Sequence, residues 1–389
     1  VSLKTSQKKL ALFFFLPVIV SSLIAGMAYI LDPFSIIHTN GVKLGILTDM
    51  RKQASGAIRS QQFSGYILGT SMLENTSARH AETLLGGTWA NISMSGSSLF
   101  EREFALAYLL QSDLTRSVIY SIDDSYLNNR KGRDDYPVDQ FAYLYDDNIW
   151  NDLRIYADKI VLACIFKSLL GGECISQDMR FDRPSAWLNH PSHAERFGGL
   201  MNWLAAKNNE QIIAAFKTIV ASGKLTSNSN QEIELAETEI FINVSLKYVD
   251  DHLLSYALLY PSVDFHLIFP PYSRIRYALW HQTEPKNKAI HEAVVRHVVS
   301  TAEKMPNVFI YGYEDQDFPD DIALYKDPGH YHHSINERML VDIQQAGYRL
   351  TLENIDRYLD NARRKSESFD LKGLALQIEN YLAQSKADY

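Results

Sequence analysis

The chain has 389 residues, 46% of them hydrophobic and 22% charged, which excludes wholesale disorder and suits one large domain or two ordinary ones. Nineteen glycines and 12 prolines exclude a collagen-like or Pro/Gly-rich chain. With 38 Lys and Arg against 46 Asp and Glu the formal charge is -8, which disfavours a general nucleic-acid binder, because such proteins present a basic surface.

Residues 10–31 read LALFFFLPVIVSSLIAGMAYIL and carry no charge. As a helix they would be roughly 33 Å long, against about 30 Å for a hydrocarbon core. Pro17 is tolerable in such a helix. Lys4, Lys8 and Lys9 precede the run and Asp32 follows it, so the positive-inside rule places the N-terminus in the cytoplasm and the remainder outside. Basic residues beyond the span (Lys43, Arg51, Lys52) make that charge contrast modest. A cleaved signal peptide and a buried core helix are the competing readings, and the run is longer than a usual signal core of about 7–15 residues. The expected division is a cytoplasmic tip and anchor over 1–31 and an extracytoplasmic domain over 32–389. No second apolar stretch of comparable length follows, which argues against a multi-span transporter. Cys164 and Cys174 make either one bridge in an oxidising compartment or two buried thiols.

After a connector over 32–45, the pattern predicts a helix over 52–62 and a strand over 64–70 that ends on Ser71. A helix over 77–85, a strand over 89–94, a helix over 100–110 and a strand over 117–122 follow. This alternation argues for a mostly parallel α/β sheet. Residues 128–136 are polar and turn-like. From 141 to 259 the sequence shows helical stretches (152–170, 201–221, 232–259) around a Pro-containing polar segment over 171–197, and no strand. The expected helical insertion or lid covers about 128–260. The rhythm resumes with a strand over 263–269, helices over 272–280 and 288–304, and a fifth strand over 308–311. A polar acidic loop over 314–333 leads to helices over 337–346, 351–364 and 371–382.

Several strand ends carry reactive side chains. Gly69-Thr70-Ser71-Met72 sets a serine between a strand and a helix, where ligands meet parallel sheets and amide N–H groups can hold an oxyanion. Leu73 departs from the G-x-S-x-G elbow. A helix cap explains the same letters. Asp327-Pro328-Gly329-His330 spaces a carboxylate and an imidazole so that His330 can take the Ser71 proton while Asp327 holds its other ring nitrogen. A solvated turn is the alternative. Gly96 ends the second strand region and offers an N–H close to a bound ester, with Asn91 and Ser93 as hydrogen-bond supports. Asp123 and Asp124 end the third strand, as a site for a hydroxyl or cation or as a capping pair. Tyr272, Ser273 and Arg274 follow the fourth and are expected in the same crevice. His330, His332 and His333 with Asp315, Asp317, Asp320 or Asp321 supply donors for zinc, but no metal-binding spacing is present and no metal site is expected.

The order of these blocks resembles the SGNH (GDSL-like) hydrolase superfamily. Within it, the chain is similar to the membrane-anchored branch that includes the alginate O-acetylation proteins and the D-alanyl-lipoteichoic acid protein DltD. The resemblance covers roughly residues 65–124 and 263–346. It implies an SGNH-hydrolase-like three-layer α/β sandwich, with Ser71 as nucleophile, His330 as base and Asp327 as its orienting acid. It also implies Ser71 and Gly96 N–H groups as oxyanion donors. The first block reads Gly-Thr-Ser rather than Gly-Asp-Ser. In the third block Asp123 stands where the family carries an Asn donor. The implied activity is acyl (acetyl) transfer to, or removal from, a cell-envelope or exported polysaccharide, with no cofactor. An integral-membrane acyltransferase is the implied partner, and the implied place is a bacterial inner membrane with the domain periplasmic or extracellular. The alternative is a catalytically degenerate glycan-binding or scaffolding protein.

Overall fold

A computed structural model describes residues 2–32, 34, 36–38, 50–172, 181–188, 190–224 and 235–387. Contacts group the chain into two compact units, Val1–Gln62 with Val138–Phe181, and Phe63–Pro137 with Asp182–Tyr389.

In the first unit, residues Ser2–Leu31 form one helix through Pro17. Its Phe13–Ile30 stretch has a mean hydropathy of 2.1 and is long and apolar enough to cross a membrane. Asp32 ends it, and its carboxylate accepts the N–H groups of Ile36 (3.0 Å), Ile37 (2.9 Å) and His38 (2.7 Å) and the Tyr156 hydroxyl. The single helix expected over 152–170 is three pieces: Ile149–Asp152, a 3₁₀ turn Leu153–Ala157, and Lys159–Leu169. The break falls at Asp158, which is extended and pairs with Lys52 at 2.6 Å. Asp152 is drawn inward by Arg59 at 2.7 Å, so the two acids tie this region to the Met50–Arg59 helix. Helix Lys159–Leu169 packs against Ser2–Leu31. Cys164 is disulfide-bonded. Cys174, the only other cysteine of the sequence, lies outside the described residues, as do residues 39–45 of the expected connector and Lys43.

The second unit is built on a six-stranded sheet. The strands are β1 (Gly65–Leu68), β2 (Trp89–Asn91), β3 (Ser117–Ser121), β4 (Asp264–Ile268), β5 (Val308–Tyr311) and β6 (Arg349–Leu350), in the order β2-β1-β3-β4-β5-β6. The first five are parallel and β6 is antiparallel to β5. Sequence periodicity gives the five parallel strands; β6 has two residues, too few to show a period. Ile67, Ile119, Ile268 and Tyr311 are buried on one face. Tyr66, Leu68, Val118, Tyr120, Phe265 and Leu267 are buried on the other, which is why these strands read as continuous apolar runs rather than as alternation.

Among the described residues no strand lies between β3 and β4. The helix expected over 201–221 is interrupted. Leu200–Ala205 stops, and Asn209 caps a new helix, Glu210–Gly223, by accepting the Gln211 N–H at 3.1 Å. The helix expected over 232–259 is Leu235–Val249, continued through a π turn at Asp250–Leu254 into Ser255–Leu259. Residues 232–234 lie outside the described set.

The strand order fixes where a site can form. β1 has β2 on one side and β3 on the other, so the chain leaves the carboxyl ends of β1 and β3 in diverging directions and opens a crevice between them.

Candidate active site

Gly69, Thr70 and Ser71 follow β1 into that crevice. Gly69 is required by packing, since a Cβ there would lie 2.6 Å from Ser121 Oγ and 2.8 Å from Leu73 Cδ1. Three side chains fix the serine turn from outside it. Asn91 Nδ2 donates to the carbonyls of Leu73 and Thr76, both at 2.8 Å. Asn336 Nδ2 donates to Met72 O (2.9 Å) and Thr76 Oγ1 (2.8 Å). Trp187 Nε1 donates to Ser71 O at 2.9 Å. Asn91 therefore acts on the nucleophile through the backbone that carries it. Ser93 has a similar role, its Oγ accepting the Gly69 N–H at 3.2 Å.

His330 arrives from the loop after β5, 259 residues later in the chain, and its Nε2 lies 2.9 Å from Ser71 Oγ. Its Nδ1 lies 2.9 Å from both carboxylate oxygens of Asp327. Asp327 is itself held by the Gly329 and His330 backbone N–H groups, each 2.9 Å from Oδ1, an Asx-type turn that explains the three-residue spacing. The Pro328 carbonyl accepts from Ser273 N (3.1 Å) and Ser273 Oγ (2.8 Å), so the loop is pinned to the end of β4. Burial alone would raise the Asp327 carboxyl, but His330, Lys326 and the backbone donor outweigh it and hold the group well below the usual carboxylate range. An ionised Asp327 keeps the Nδ1 proton in place and leaves Nε2 as the acceptor for the serine hydroxyl.

Lys326 stands behind this pair. Its Nζ is 3.3 Å from Asp327 Oδ2, 3.2 Å from Gln211 Oε1 and 4.6 Å from the centre of the Trp187 ring. The residue is 1% exposed. Burial lowers its pKa to about 8, with Asp327 pulling the other way and Arg196 adding to the drop. His193 in the same neighbourhood is lowered to about 4 by burial and by Lys326 and Arg196.

Asp123, at the end of β3, lines the same crevice, but its oxygens are already engaged. Oδ1 accepts Thr70 Oγ1 at 2.7 Å, Oδ2 accepts Ser121 Oγ at 2.6 Å, and Arg102 lies 3.0 Å from Oδ2. Arg102 is fully buried and also donates to Ser121 O at 2.7 Å. Burial raises the Asp123 carboxyl, opposed by Arg102 and the two hydroxyls. Asp123 is thus a brace between the serine turn and β3. Its partner Arg102 sits in the helix Leu99–Leu109, where nothing in the local sequence marks it.

Gly96 is at φ +60°, in the left-handed region, and lines the cleft with Ser71. Among the described residues neither the Ser71 nor the Gly96 N–H is engaged by another acceptor. Arg130 donates to the Gly96 carbonyl at 2.6 Å and fixes that peptide from behind. Tyr272 lines the cleft as expected. Arg274 does not. Its guanidinium is buried against Asp320, the Glu314 carbonyl (2.7 Å) and the Gln316 carbonyl (2.8 Å), and it holds the acidic loop. Arg276 lines the cleft instead, paired with Asp124. Both sit in the first turn of the helix Arg274–Thr283, where two positions turn a side chain by about 200°. The cleft has a volume of about 410 Å³, enough for a small acyl group and part of a sugar.

The remaining histidines have other duties. His332 caps the helix His333–Gln345 by accepting the Ser334 N–H at 3.3 Å. Burial lowers both His332 and His333. Among the described residues no group of three or more His, Cys, Asp or Glu is placed to hold a metal ion.

Sequence reasoning missed Trp187, Lys326, Arg102 and Asn336. Lys326 and Asn336 flank the Asp327–His330 block and were within reach of a closer reading. Trp187 falls in the polar segment over 171–197, whose only signal is its composition. No family model matches the chain, and no curated protein or solved structure matches it either.

Proposed function

We propose that this protein is a serine-dependent acyl-transfer enzyme of the SGNH type, acting on acylated glycans of the cell envelope. The observation that carries the reading is the Ser71–His330–Asp327 chain, with 2.9 Å at each contact, at the mouth of a cleft. A hydroxyl within reach of an oriented imidazole is the arrangement acyl transfer needs.

In the proposed reaction Ser71 Oγ attacks the carbonyl carbon of an acyl ester or thioester while His330 Nε2 takes the hydroxyl proton. Asp327 stabilises the imidazolium. The Ser71 and Gly96 N–H groups donate to the oxyanion. Collapse of the tetrahedral intermediate breaks the bond to the leaving group, which takes the proton from His330 and leaves an acyl ester on Ser71. A sugar hydroxyl or water then gives its proton to His330 and attacks that ester, restoring Ser71. With water the protein is an esterase; with a glycan hydroxyl it is an O-acyltransferase.

Asp123 supplies no oxyanion donor while it is ionised, so two backbone groups do that work. This loss of one donor is the feature that favours the degenerate glycan-binding alternative. The intact serine–histidine–aspartate chain favours catalysis. The apolar helix Ser2–Leu31 supports single-pass anchoring in a membrane; that this is the bacterial inner membrane, with the second unit outside the cytoplasm, is proposed from the resemblance and from the basic residues before the span. There an integral-membrane acyltransferase would supply the acyl group. The test is turnover of an aryl acetate by the full chain in detergent. Ser71→Ala and His330→Ala should each abolish it while the fold survives; normal turnover in both variants refutes the reading.

A further inference from the structure

The first unit carries an apolar surface that the acyl-transfer reading does not use. From Phe13 to Ile30 the N-terminal helix is exposed except at Ile24, Met27 and Ala28. These follow i, i+3, i+4 spacing, the stripe that one packed helix covers. The helix packed against it is Lys159–Leu169. Ile24 lies only about 9 Å along the axis from Ile30, at 1.5 Å per residue, so the packing falls on the last turns of the apolar span. Lys159–Leu169 turns Val161 and Cys164 inward, 0% and 3% exposed, and leaves Phe166 and then Leu170 outward, 53% and 89% exposed. Just before it, Ile149, Trp150 and Leu153 are also exposed, Trp150 at 79%. The Tyr156 hydroxyl donates to Asp32, which fastens this stretch to the end of the span.

The charges follow the same pattern. Arg154, Lys159 and Lys167 are exposed beside these apolar groups. The acids of the stretch, Asp152 and Asp158, are paired with Arg59 and Lys52. An exposed tryptophan, outward apolar side chains and exposed long cations at the end of an apolar helix suit the headgroup–acyl boundary, where aromatic rings settle and lysines reach up to phosphates.

We propose that residues 149–170 form a membrane-interface platform, with Trp150, Phe166 and Leu170 in lipid at the bilayer face where the N-terminal helix emerges. The occupant is the bilayer rather than a protein, because the stretch that carries these side chains packs against the span and is bonded to its end. The platform would fix the first unit on the membrane at two places. The proposal rests on the anchoring part of the functional reading, that Ser2–Leu31 crosses the membrane.

The test uses the full chain in vesicles of phosphatidylcholine and phosphatidylglycerol, with bromine on the upper acyl carbons. Tryptophan emission is compared for the native chain and Trp150→Phe, and for Leu23→Trp and Phe166→Trp in the Trp150→Phe background. Leu23→Trp reports the span. The proposal expects all three reporters, Trp150 included, to lose about half their intensity to the bromines, a contact effect of residence in the acyl region. Quenching at Leu23→Trp with water-like, unquenched emission from Trp150 and Phe166→Trp overturns the platform and keeps the anchor. Blue-shifted but unquenched Trp150 and Phe166→Trp overturn it in favour of a protein partner. No quenching at any position overturns the anchor and the platform together.

Discussion

Replacing Lys326 by Met separates what the buried amine does to stability from what its contacts contribute. Its pKa falls from an ordinary 10.5 to about 8. At about 1.36 kcal/mol per unit, the protonated amine destabilises the native state by roughly 3 kcal/mol at neutral pH. The native pKa is lower than the unfolded one, so between pH 8 and 10.5 the unfolded chain binds more protons and stability rises with pH. Below pH 8 the full penalty is present. Methionine removes that penalty but gives up the long contacts to Asp327 and Gln211, worth about 1 kcal/mol together. Lys326→Met should therefore be more stable than the native chain by about 2 kcal/mol at pH 7, and the difference should shrink to about zero near pH 10. Urea unfolding of the full chain in detergent, followed by tryptophan fluorescence at both pH values, reads the difference. A variant less stable at pH 7, or a difference that does not shrink as the pH rises to 10, refutes the reasoning.

Asp327→Asn can present its amide to His330 Nδ1, favour the wrong tautomer and lower kcat about 10⁴-fold with little change in KM; a loss under tenfold in steady-state ester hydrolysis would mean that the carboxylate does not orient the base. Gly69→Ala forces a Cβ against Ser121 Oγ and the Leu73 side chain, and should destabilise the second unit by about 1–3 kcal/mol in thermal melting. Trp187→Phe keeps a ring beside Lys326 but removes the donor to the Ser71 carbonyl. It should lower kcat/KM about tenfold while leaving the fold intact by circular dichroism.

What was legible in the sequence follows from how local each feature is. The five parallel strands were readable because both of their faces are buried, so each is an apolar run ended by turn residues. Asp327 and His330 were readable because an Asx-type turn sets their spacing, and Ser71 because it ends a strand. The contact between Ser71 and His330 spans 259 residues and follows from the sheet order rather than from any motif. Asp123 misled for a related reason. Its position after β3 was right, but its role is set by Arg102, a buried cation 21 positions earlier in a helix. Arg276 lines the cleft where Arg274 was expected, because the helix expected over 272–280 begins at Arg274, and side-chain direction in a first turn is set by where the helix starts. The break at Asp158 depended on Lys52, a partner 106 residues away.

The most direct test of the central claim is the reactivity of Ser71. The full chain in detergent is treated with a fluorophosphonate, intact mass counts adducts, and peptide mapping locates them, with Ser71→Ala and His330→Ala alongside. The account predicts one adduct, on Ser71, absent in Ser71→Ala and strongly slowed in His330→Ala. Folded protein that takes no adduct, or takes it at another serine, contradicts it.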